Sequence, residues 1–167
     1  MHRRSHLRTA PVPVAGVTHG RLLALAALSV LGVLVCTGCS HAVKAKVPVG
    51  GDSPVCAQVA AQLPGRLLKQ KHRDTDPNSP SLAAWGDPAI ILRCGVATPG
   101  PSTDHCETVN GVDWVVQPLS DGASFTTYGR TPAIQVLVPK HYAPEEFALT
   151  GLSTAVDVVP QGEHRCR

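Results

Sequence analysis

The 167-residue chain contains no nucleophile elbow, no glycine-rich phosphate loop and no paired-histidine helix of the zinc-protease type. It also lacks the close cysteine pairs and ligand-spaced histidines that a zinc site requires. His41, His72, His105, His141 and His164 each stand alone in polar stretches. Nothing here supports nucleotide-dependent or metal-dependent chemistry, and no cofactor or metal is expected. A serine-histidine-carboxylate arrangement is spatial, and the sequence gives it no positive support. Internal repeats are absent. So is any concentration of lysine and arginine beyond the N-terminal stretch: Arg3, Arg4, Arg8 and Arg21 come first, and thereafter eleven basic residues face twelve acidic ones, a net charge of about minus one. Nucleic acid is therefore not an expected partner, because phosphate binding needs clustered cations.

What is present begins with an export layout. Those four arginines precede nineteen uncharged residues, Leu22 to Ser40, and a basic segment before an apolar core is the pattern of a secretory leader. The end of the run, Val35-Cys36-Thr37-Gly38-Cys39-Ser40, resembles a bacterial lipobox in which Cys39 becomes the lipid-modified N-terminus, although Cys36 stands where the pattern has leucine. The alternative is an uncleaved anchor helix, since nineteen uncharged residues nearly span a bilayer. Both place the rest of the chain outside the cytoplasmic membrane, on its outer face. Residues 1–39 thus read as signal peptide and anchor, 40–52 as a flexible tether with two glycines and a proline, and 53–167 as one domain.

Four cysteines remain after the leader: Cys56, Cys94, Cys106 and Cys166. In an extracytoplasmic domain they read as two disulfides, with three pairings open. Cys94 and Cys106 flank a Pro-, Gly-, Ser- and Thr-rich connection, which favours that pair and leaves Cys56 with Cys166.

The domain is organised around Trp85–Val96. Gly86, Asp87 and Pro88 make a turn, and the strand that follows is apolar on both faces, as a central strand should be. Ser53 and Pro54 open a helix with Cys56, Val59, Leu63 and Leu67 on one stripe. Residues 66–71 read as a further short turn and 71–81 as a polar loop. Alternating patterns predict strands at Val112–Gln117, Ser124–Tyr128 and Ile134–Val138. A last helix starts at Pro144, weakened by Gly151. The expected fold is α+β: a small, mostly antiparallel sheet of about four strands, with an N-terminal and a C-terminal helix on one face, stapled by disulfides.

Arg93 and Asp113 are polar residues in apolar strands, on the face opposite Leu92 and Trp114, and read either as a cross-sheet ion pair or as part of a binding surface. In the second reading Arg93 or Arg130 offers a planar donor fork, and Trp85 or Tyr128 a stacking face. Asp87, Asp113 and Arg130 are the residues a hydrolase would use. The segment Thr126–Arg130 is the best loop candidate.

The blocks Ala84–Val96, Gly111–Trp114 and Thr127–Arg130 resemble an actinobacterial, mycobacterial-type family of exported proteins and lipoproteins catalogued as domain of unknown function 3515. The resemblance runs from about Cys56 to Cys166 and implies an envelope location and a disulfide-stapled domain, with no catalytic residue to carry over. The expected function is a non-enzymatic binding or interaction module of the cell envelope. It is held to the membrane by lipid or helix and engages another envelope protein or a cell-wall component. A small-ligand carrier and a cell-wall-modifying hydrolase are the alternatives.

Overall fold

A computed structural model describes residues 41–167. The leader, with its lipobox and Cys39, lies outside the described residues. The described residues form one compact unit, and it corrects the expected α+β sandwich. The domain is built mainly of strands, with eight in one antiparallel sheet and two more in a small parallel one.

The strands are β1 (Val43–Lys44), β2 (Arg66–Leu67), β3 (Gln70–Arg73), β4 (Thr75–Asp76), β5 (Leu82–Trp85), β6 (Ile90–Val96), β7 (His105–Val109), β8 (Val112–Leu119), β9 (Gly122–Thr127) and β10 (Ala133–Pro139). The large sheet runs β2-β3-β5-β6-β10-β9-β8-β7, and β1 pairs with β4. The predicted strands at 90–96, 112–117, 124–128 and 134–138 are its centre. The expected polar loop 71–81 instead carries most of β3 and all of β4. Helix α1 (Pro54–Ala61) starts as read, with Pro54 in its first turn and Cys56 and Val59 buried. It stops before Leu63, and Leu67, expected on its stripe, lies in β2, which pairs with β3 where a further turn was expected over 66–71. The single C-terminal helix breaks at Gly151 into two one-turn pieces, α2 (Phe147–Thr150) and α3 (Ser153–Val156).

Alternation across the pleat gives the sheet two unlike faces. On one, the cross-strand row Leu92, Val136, Phe125, Val116 and the row Cys94, Ile134 meet Trp85, Trp114, Ile90 and Val138. Val59, Leu149, Leu152, Val156 and Val159 cover them from the helices and the chain beyond. Both tryptophans are fully buried, and Trp85 satisfies its indole by donating from Nε1 to the Pro64 carbonyl at 2.9 Å.

The disulfides pair differently from the expectation. Cys56 bonds Cys94, and Cys106 bonds Cys166, with Cα separations of 5.6 and 5.5 Å. Cys94 lies in β6 on the core face, while Cys106 pairs with Val115 on the opposite face of a strand four places away. At ~4.8 Å per strand that is roughly 19 Å, far beyond the ~7 Å a disulfide can bridge. The first bond instead ties α1 to the central strand, and the second ties the C-terminal tail to the edge strand.

Residues 41–52, the described part of the segment 40–52 read as a tether, are laid along the domain. Val43 donates to the Asp74 carbonyl at 2.8 Å, Ala45 to that of Asp76 at 3.1 Å and Gly50 to that of Gly95 at 3.0 Å. Gly95 has φ +97° and its missing side chain is what lets Gly50 approach, since a Cβ there would strike the Gly50 and Gly51 backbone. Gly95→Ala should therefore lower the unfolding free energy by well over ~1 kcal/mol in urea titration. Gly100→Ala, with open space around it, should stay within about 0.5 kcal/mol of the parent.

Candidate functional site

The second face of the sheet is polar. Arg93 of β6 lies opposite Gln135 of β10, which lies opposite Thr126 of β9, then Val115 of β8, then Cys106 of β7. Because β6 and β7 sit on either side of β10, β9 and β8, the connection 97–104 must cross that face. It acts as a strap, held at one end where the Thr98 hydroxyl donates to the Arg130 carbonyl at 3.2 Å. At the other end Gln117 donates from Nε2 to Asp104 at 3.4 Å. Prolines 99 and 101 and Gly100 explain why this segment spans the face without joining it, having few donors and no side-chain bulk to pair.

Beneath and beside the strap run two open grooves. One, of about 590 Å³, lies between the strap and Arg93, Gln135, Thr126 and Gln117. The other, of about 690 Å³, continues past Asp104 and His105 to Tyr128, His164, Arg165 and the Cys106–Cys166 bond. The C-terminal tail forms its wall. Gln161 Nε2 donates to the carbonyls of Tyr128 (3.0 Å) and His164 (2.7 Å), and the His164 ring stacks on Tyr128 with centroids 5.6 Å apart.

The residues singled out in the sequence go to five different places. Arg93 and Tyr128 line the grooves, and Arg93 has no acceptor for its buried Nε among the described residues. Arg93 and Asp113 do share a face, yet three strand spacings, about 14 Å, separate them, so the cross-sheet ion pair does not form. Asp113 is 5% exposed and fully engaged, accepting from the Thr108 hydroxyl and from the Cys166 amide at 3.2 Å. Arg130 is 4% exposed: its guanidinium donates to the carbonyls of Val156 and Val159 and meets Asp157 Oδ1 at 2.8 Å. It closes the C-terminal end of α3, where a cation is favoured. Trp85 belongs to the core. Asp87 is in the turn at the far end of β5, exposed and 3.7 Å from Arg73 Nη1. Beside it the Tyr142 hydroxyl donates to the Pro88 carbonyl at 2.7 Å. Burial pushes that phenol above its ordinary range, against the opposing pull of a backbone hydrogen bond at Asp87 and of the Arg73 charge.

A hydrolase built on Asp113 or Asp87 with Arg130 thus has no geometry to work with, since the first is sealed, the second stands at the opposite end of the strands and the arginine is occupied. No cluster of three metal-ligating side chains occurs among the described residues. Gln135, Gln117 and Arg165 were not candidate site residues in the sequence, where Thr126 entered only as part of a loop and His164 only as a lone histidine. The one signal that could have found the glutamines is their polar character at positions facing away from the apolar stripe of β10 and β8.

A family model described as "Protein of unknown function (DUF3515)" matches residues 23–164. No curated protein and no solved structure matches the chain.

Two outcomes follow from this geometry. Arg130→Ala should cost about 3 kcal/mol of stability, because it strands buried carbonyls and removes a charged donor; a shift in thermal midpoint checks it. Partial reduction followed by alkylation should open Cys106–Cys166 first, since both its cysteines are half-exposed whereas Cys56 and Cys94 are fully buried.

Proposed function

The chain belongs to the DUF3515 family, and from that premise we propose that it is an actinobacterial envelope lipoprotein, exported and anchored through Cys39, whose domain is a non-enzymatic binding module. The observation that carries this reading is Arg93, an arginine on a strapped, polar sheet face whose buried Nε lacks an acceptor among the described residues. Buried or half-buried donors are normally satisfied. A planar guanidinium suits a carboxylate on the partner. Gln135, Gln117 and Thr126 beside it offer hydrogen bonds to amide or hydroxyl groups.

The remaining features agree with this reading. Two disulfides fit an oxidising compartment, and the charged leader with its lipobox-like end supports lipid anchoring. The carrier alternative gains nothing, because the space between sheet and helices is filled by Trp85, Trp114, Leu92, Ile134 and Leu149. The partner class is an extended segment of an envelope protein, or a cell-wall component, bearing a carboxylate and accepting side-chain hydrogen bonds.

Photo-crosslinking in the native envelope tests it. A crosslinker at Gln117 should capture a defined product that the same group at Gln58, exposed on α1, does not. Arg93→Ala should cut that product by about tenfold or more, the value of one charged hydrogen bond, with the thermal midpoint unchanged. The N-terminal peptide should begin at an acylated Cys39. Identical products from both positions would sink the groove as the binding site, and an intact leader would replace the lipid by a spanning helix.

A further inference from the structure

The first described residues fix more than a start of chain. Arg73 reaches with Nη2 to the His41 carbonyl at 2.7 Å and with Nη1 to the Gly86 carbonyl at 2.9 Å. His41 is therefore held at the end of the sheet where β5 finishes and β6 begins. The same end carries the β8–β9 hairpin, since Pro139 of β10 pairs with Gly122, and Leu119 of that hairpin is 45% exposed. Tyr142, bonded to Pro88, and the exposed Lys140 complete it. Exposed Arg66, Lys69, Lys71 and Lys140 lie at this end together with the exposed Asp87 and Asp121.

In the sequence only Ser40 separates Cys39 from His41. Two residue steps extend at most about 7 Å, and a headgroup layer is roughly 5–8 Å deep on each side of the hydrocarbon. A chain that docks from His41 onward leaves no slack with which to hold the domain away. Resting on the reading of Cys39 as anchor, we infer that this end of the sheet sits against the phospholipid surface. Leu119 enters the headgroup layer and the long strands run outward from it. The occupant of this surface is lipid, and what seats it there is the short covalent connection together with the exposed Leu119 beside the Ser120-Asp121 turn.

Full-length protein carrying its own anchor, reconstituted in phosphatidylcholine–phosphatidylglycerol vesicles, tests the orientation. A fluorescent label is placed on Leu119→Cys or, separately, on Thr131→Cys at the opposite end of the strands, about 24 Å away for seven residues. Headgroup-nitroxide lipids should quench the first and leave the second bright. Equal quenching of both labels in protein that floats with the vesicles would overturn the orientation and leave the anchor standing. Failure to float would remove the anchor reading, and this inference with it.

Discussion

Pairing of β10 with β6 is the constraint from which the rest of the domain follows. Val136 sits across from Leu92 on one side and from Phe125 on the other, so a late strand takes the place beside the earliest long one. Every strand between them in sequence is pushed to the far side of β10. The chain leaving β6 must then pass over three strands before it can pair again, and it passes on the polar face because the opposite one is occupied by helices. Strap, grooves and the burial of Thr126 beneath them are results of that single exchange of neighbours.

The sheet is large but its coverings are slight. Helix α1 has eight residues and α2 and α3 have four each, below the length at which a helix holds itself in water. The first and the last are secured by something other than their own hydrogen bonds. Cys56–Cys94 fixes α1 to β6, Arg130 caps α3, and Cys106–Cys166 holds the chain that follows α3 to the outer face. Loops of this length make each disulfide worth about 4 kcal/mol in the chain-entropy account. Two side-chain devices on the core side and one on the polar side thus stabilise a layer that burial alone would leave marginal.

The long strands were legible because their alternation is a property of adjacent residues, and the apolar run of β6 identified it as central. The short strands were not. In β5, Leu82-Ala83-Ala84-Trp85 is buried at all four positions and shows no period, while Gln70–Arg73 is polar throughout and carries no apolar alternation to mark it as a strand. Cysteine pairing failed for a related reason: closeness in sequence favoured Cys94 with Cys106, but strand order decided the matter. Arg93 and Asp113 were correctly assigned to one face, and their separation across it was invisible without knowing which strands intervene. Arg130 looked like a binding residue because nothing in the sequence announces the carbonyls of Val156 and Val159 that engage it.

The corrected disulfides also differ in kind from the expected ones. A bond between Cys94 and Cys106 would have lain inside a ring closed by Cys56 and Cys166. The actual rings, 56–94 and 106–166, follow one another along the chain without overlap. Neither encloses the other's cysteines, so each can close with the other still open. A polypeptide delivered N-terminus first presents these four thiols in the order in which they are joined, first with second and third with fourth.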